Sequence, residues 1–161
     1  MKYFSLSIFS IVLMLSIMSC QSNYDYVAQD NADIPHMQWE SNYIPMFTYN
    51  IQDTGKDYIL GFCIRYNNDY PNENLYLFVH TQFPDGQQYT DTVSVDLFYP
   101  DGSPTGTGKN IRELNANVSK VKFPQQGTYH IQLEQAMRNS TLNGIVSVGY
   151  YIICPPKNEK L

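Results

Sequence analysis

Short runs in which apolar and polar residues alternate recur from Phe47 to Cys154, each closed by glycine, proline, asparagine or aspartate. Side chains that point by turns to two faces build strands with one buried and one wet face. Phe47, Tyr49 and Ile51 alternate with Thr48 and Asn50 ahead of the turn Asp53-Thr54-Gly55-Lys56-Asp57. Between Tyr58 and Tyr66, Leu60, Phe62 and Ile64 share one side, and Ile59, Gly61, Cys63 and Arg65 the other; Pro71 and its asparagine neighbours end the run. Leu75, Leu77 and Val79 lead to Pro84-Asp85-Gly86, and Val93, Val95, Leu97 and Tyr99 lead to Pro100-Asp101-Gly102.

Over 102–117 the period is lost among Gly102, Pro104, Gly106 and Gly108, which predicts a long loop with one helical turn at 111–114. Loops of that length are often functional. Val118 to Phe123 and Thr128 to Gln135 form a hairpin-like pair around Pro124-Gln125-Gln126-Gly127. The pattern breaks over 136–143, and Gly144 to Cys154 supplies a last apolar strand. With a weak strand at 38–40, the count is about eight strands and little helix, which predicts an all-β chain folded as a single antiparallel β-sandwich, jelly-roll or immunoglobulin-like.

The N-terminus carries a different message. Lys2 precedes an apolar run from Phe4 to Met18, shorter than the roughly 20 residues of a spanning helix, and the layout is that of a secretory signal peptide. Its exit, Ile17-Met18-Ser19-Cys20, resembles the lipobox of bacterial lipoproteins. On that reading residues 1–19 are removed and Cys20 carries the lipid, with acyl chains contributing about 0.8 kcal/mol per buried methylene. Polar residues over 20–36 then read as a tether, residues 37–154 as the domain and 155–161 as a flexible tail. Extended, such a tether reaches about 50 Å, so the domain need not touch the membrane.

Loss of residues 1–19 removes only Lys2 among charged residues, leaving 9 basic against 15 acidic and a net charge of −6. That argues against a nucleic-acid binder, which would show a basic surface. The chain has 14 Tyr and 8 Phe; they suit strands, although exposed tyrosines would also suit a carbohydrate- or peptidoglycan-binding face. Cys63 and Cys154 remain after lipidation, either bridged or as free small hydrophobes.

Catalytic and metal signatures are weak. Gly106-Thr107-Gly108-Lys109 lacks the other residues of a phosphate loop. His36, His80 and His130 have no ligand spacing to one another or to a cysteine, so no metal and no cofactor are expected. Among Asp69, Glu73, Asp91, Asp96 and Glu134 a hydrolytic carboxylate pair could assemble, as in any acidic β domain, which leaves an envelope hydrolase as a second alternative. Asp91-Thr92-Val93 resembles the O-glycosylation motif of Bacteroidota, with Thr92 as acceptor.

Several stretches together resemble the GldH family of gliding-motility lipoproteins. They are 69–78 (Asp-Tyr-Pro-Asn-Glu-Asn-Leu-Tyr-Leu-Phe), Pro84-Asp85-Gly86, Asp91-Thr92-Val93 and Lys122 to Tyr129. The strongest is Leu133-Glu134-Gln135-Ala136-Met137-Arg138, followed by Leu142-Asn143-Gly144-Ile145 and Val148-Gly149. The resemblance implies a lipid-anchored protein that supports gliding motility and type IX secretion, or envelope maintenance and surface export where the host does not glide. It implies no catalytic residues. The absence of an acidic run after Cys20 favours the periplasmic face of the outer membrane, with membrane contact through lipid and envelope proteins as partners. Gln135, Met137 and Arg138, where the alternation breaks, are candidates for a partner surface or for a bulge that fixes register.

Overall fold

A computed structural model describes residues 24–155. It contains β1 (Asp25–Asp33), a 3₁₀ turn (Pro35–Met37), β2 (Gln38–Glu40), β3 (Met46–Ile51), β4 (Tyr58–Tyr66), β5 (Asn74–Gln82), β6 (Gln88–Asp96), β7 (Thr107–Gly108), β8 (Arg112–Val121), β9 (Gly127–Gln135), β10 (Thr141–Asn143) and β11 (Ile145–Cys154). A five-stranded sheet runs β1-β11-β4-β8-β7, a four-stranded sheet runs β3-β9-β5-β6, and β10 pairs with β2. All pairs are antiparallel, and the two large sheets pack face to face as a β-sandwich.

The alternation places the core as the sequence predicts. Phe62, Ile64 and Tyr66 of β4 with Val148, Tyr150 and Ile152 of β11 face Phe47, Tyr49 and Ile51 of β3, Leu75, Leu77 and Val79 of β5, and Tyr129, Ile131 and Leu133 of β9. Tyr49 and Tyr129 stack at 5.5 Å between ring centroids, and Tyr58, Phe83 and Phe123 close around them edge-on.

Three expectations are corrected. The region read as a tether contains β1, which pairs with β11 from Asp25↔Cys154 to Asp33↔Ser147. An edge strand is held by its backbone ladder, so its polar sequence, with only Ala28 and Ala32 packed against the core, hides it. The long loop with a helical turn at 111–114 is largely β8, paired with β4 from Tyr66↔Arg112 to Tyr58↔Val121. Its inward residues Leu114, Ala116 and Val118 are half-buried and partly small, which weakens the periodic signal. The strand expected through Tyr99 ends at Asp96 and begins earlier, in the polar Gln88-Tyr89-Thr90 stretch of an edge strand.

The strands give the sandwich two unlike ends. Short loops 52–57, 83–87 and 122–126 lie at one end, where β1 starts and β11 finishes. Longer segments 34–45, 67–73, 97–106 and 136–140 lie at the other.

Tyrosines fasten both ends. Each plants its ring in the core and donates its hydroxyl to a main-chain carbonyl: Tyr58 to Asp53 (2.5 Å), Tyr129 to Gln125 (2.8 Å) and Tyr66 to Leu97 (2.5 Å) in neighbouring loops, and Tyr70 to Asn74 at the start of β5 (2.8 Å). The hydroxyl satisfies an acceptor that would otherwise be left bare near the core.

On the outer face of the five-stranded sheet the Tyr151 ring lies across Gly61, its register partner, and its hydroxyl donates to Asn117 Oδ1 at 2.7 Å. A Cβ at Gly61 would stand 2.1 Å from Tyr151 Cζ. Gly61→Ala is therefore expected to cost about 1–3 kcal/mol through overpacking, read as a lower midpoint of chemical denaturation.

Candidate functional site

Register brings chemistry together on the exposed face of the four-stranded sheet. His80 of β5 faces Thr90 of β6 on one side and lies beside β9 on the other. Its Nδ1 is 2.9 Å from Thr90 Oγ1 and its Nε2 is 2.8 Å from Glu134 Oε2. Next along, His130 Nδ1 is 2.9 Å from Thr48 Oγ1. A cavity of about 180 Å³ lies over this row, lined by His80, Thr90, His130, Gln132, Met46 and Tyr89.

Hydroxyl, imidazole and carboxylate thus stand in the order of a hydrolytic triad, which no sequence spacing could reveal because three different strands supply them. The nucleophile would be Thr90 of the edge strand β6, and the cavity over the row, about 180 Å³, falls below the roughly 300–1,000 Å³ of small-molecule pockets. Among the described residues no group of three His, Cys, Asp or Glu is placed to hold a metal ion.

The remaining candidates fall elsewhere. Gln135 is buried, and its amide is engaged locally: Nε2 donates to Asn139 O at 2.9 Å and Oε1 accepts from Met137 N at 3.0 Å. It braces the turn after β9 and offers nothing to a partner. Met137 is half-buried with Sδ 3.3 Å from Tyr76 N, and only Arg138 of the three is exposed. Thr92 is exposed on the edge strand β6, opposite Phe78. Cys20 lies outside the described residues.

Cys63 and Cys154 are free. Cys63 lies opposite Gly149, five residues from Cys154 along β11. That is about 16 Å at 3.3 Å per residue, beyond the roughly 7 Å between Cα atoms that a disulfide tolerates. Burial pushes both thiols upward, with Glu113 adding to the effect at Cys63, so neither is an activated nucleophile.

Among the described residues the tyrosines divide between core and surface. Tyr49, Tyr58, Tyr66, Tyr70, Tyr129, Tyr150 and Tyr151 are buried. On the exposed sheet face Tyr76, Phe78 and His80 follow one another, but the Phe78 and His80 rings are 6.5 Å apart and inclined by 50°.

The long-loop end presents the other distinctive surface. Met37, Tyr43, Ile44, Tyr99 and Ile111 are exposed there. His36 and Met37 take positive φ of 55° and 56°, a conformation unusual for non-glycine residues. Beneath them Trp39 is completely buried and its Nε1 donates to Tyr43 O at 2.8 Å.

The profile of the GldH lipoprotein family matches residues 26–152, from the start of β1 to the end of the core in β11. The chain belongs to the GldH lipoprotein family. It is 32% identical over 158 residues to the gliding motility lipoprotein GldH homolog of Christiangramia forsetii, covering 92% of this chain and 94% of that one. To the gliding motility lipoprotein GldH of Flavobacterium johnsoniae it is 33% identical over 123 residues, covering 71% and 76%. Among solved structures, dimeric latent PorU from Porphyromonas gingivalis gives a TM-score of 0.35 at 8% identity, covering 89% of this chain and 15% of that one. Family membership makes this chain a GldH lipoprotein by kinship, and the relatives it matches carry the name gliding motility lipoprotein. Among the described residues no helix is long and apolar enough to cross a membrane.

Proposed function

We propose that this GldH-family protein is an accessory lipoprotein of the outer membrane, held at the periplasmic face by lipid on Cys20. It works by contact with other envelope proteins and supports gliding motility and type IX secretion, or surface export in a host that does not glide. The observation that carries this reading is the family match, which spans the sandwich from β1 into β11. The character of the sandwich agrees with it: the buried tyrosines fasten the ends of the strands, and the cavity over the imidazole row is smaller than a small-molecule pocket.

Deletion of the gene is expected to reduce delivery of secreted proteins to the cell surface, and spreading in a gliding host. The wild-type gene restores both, and Cys20→Ala, made at equal abundance, does not. A deletion strain with normal surface delivery and spreading would overturn the proposal. Full rescue by Cys20→Ala would overturn the lipid anchor alone.

A further inference from the structure

Incorporation of β1 into the sandwich changes what the lipid can do. Asp25 is registered against Cys154, and Tyr24 packs against Ile59, Tyr151 and Ile153 on the outer face of the five-stranded sheet. Only four Cα steps therefore separate Cys20 from a residue fixed in the fold. At full extension they span about 14 Å, against the roughly 50 Å of an unstructured tether over 20–36. A leash this short determines which end of the domain lies next to the acyl chains.

That end is built from loops 52–57, 83–87 and 122–126, and they are braced to one another. Lys120 Nζ and Lys122 Nζ lie 3.1 Å and 3.6 Å from the Asp57 carboxylate, and Gln125 Nε2 donates to Asp85 Oδ2 at 2.7 Å. Beneath them the rings of Tyr49, Tyr58, Phe83, Phe123 and Tyr129 form a packed floor. The end is thus braced across its loops, and a cavity of about 330 Å³ lined by Phe83, Tyr89, Lys122, Phe123 and Pro124 opens beside it. Lys56, Lys120 and Lys122 all stand on it with side chains more than half exposed. Surface ion pairs of this kind are worth about 0–1 kcal/mol, so the three ammonium groups are within reach of lipid phosphates; Asp53, Asp57 and Asp85 balance their charge on the same end, and the short leash is what selects this face.

We propose that the domain stands on end on the bilayer, with this short-loop end against phospholipid headgroups and the long-loop end held outward. The occupant of the short-loop surface is the bilayer that receives the lipid of Cys20, and the inference rests on that lipidation. Along β4 the sandwich is nine residues long, about 30 Å at 3.3 Å per residue. Met37, Tyr43, Ile44, Tyr99 and Ile111 are thereby carried to the far side, where an envelope protein meets them without touching the membrane.

The test uses the full lipidated chain in vesicles of phosphatidylethanolamine with a minor fraction of phosphatidylglycerol, some lipids bearing a nitroxide on the headgroup. A fluorophore is attached at Gln126→Cys or at Asn139→Cys, in a Cys63→Ala, Cys154→Ala background whose circular dichroism matches the wild type. Nitroxide quenching is short-ranged, so the label at 126 is expected to lose most of its emission and the label at 139 almost none. Equal quenching at both sites, or stronger quenching at 139, overturns the upright orientation. Flotation of the same samples reads the anchor separately: protein that fails to float with vesicles overturns the lipidation, and the orientation falls with it.

Discussion

Raised above about pH 10, the protein is expected to hold its fold and then lose it in one cooperative step as the buried tyrosines ionise. Burial pushes Tyr70, Tyr150 and Tyr151 up to about 12 from an ordinary 10.0, with Asp30 adding to the effect at Tyr150 and Tyr26 at Tyr151. Tyr49, Tyr58 and Tyr129 are raised as well, chiefly by burial. A phenol whose pKa is higher folded than unfolded keeps its proton more tightly in the fold. Its contribution is complete below the unfolded value and is lost as pH climbs through the folded one. Two units correspond to about 3 kcal/mol, so three such tyrosines together rival the roughly 5–15 kcal/mol that holds a domain of this kind. Ionisation also removes the hydroxyl donors with which Tyr58, Tyr70 and Tyr129 fasten main-chain carbonyls. Tyrosinate absorbance and far-ultraviolet circular dichroism should change together between about pH 10 and 12. A gradual rise in absorbance with unchanged dichroism would mean that these rings are accessible to solvent.

Trp39→Ala is expected to cost about 3–5 kcal/mol. Trp39 is fully buried in β2 opposite Leu142 of β10, itself 1% exposed, and its indole N–H ties Tyr43 O. The short β2–β10 ladder spans three residue pairs, so its own hydrogen bonds cannot replace the lost ring. Because the segment 34–45 carries Met37, Tyr43 and Ile44, the variant also loosens the surface assigned to partners. Urea denaturation followed by circular dichroism should show a lower midpoint, with Trp39→Phe intermediate. A loss under about 1 kcal/mol would show that the segment packs independently of the indole.

Strands with one apolar face are legible because burial imposes a period of two: β3, β4 and β5 lie close to where Phe47 to Ile51, Tyr58 to Tyr66 and Leu75 to Thr81 place them. Edge strands escape because a backbone ladder makes little demand on side chains, as in β1 and in the polar start of β6. In β8 small Ala116 and half-exposed Leu114 and Val118 blur the contrast. The His80, Glu134 and Thr90 row depends on register across three strands, and the separation of Cys63 from Cys154 depends on the β4–β11 ladder; neither register is written in local spacing. Gln135 does mark a break in alternation, but the break is a turn braced by its own amide.

The account depends most on the chemistry of one residue, and a mass measurement on the mature N-terminal peptide from membrane fractions tests it directly. The predicted result is a chain that begins at Cys20, lacks residues 1–19 and carries a diacylglyceryl group on its sulfur. An intact peptide containing Lys2, or an unmodified Cys20, would contradict the lipid anchor and the upright stance built on it.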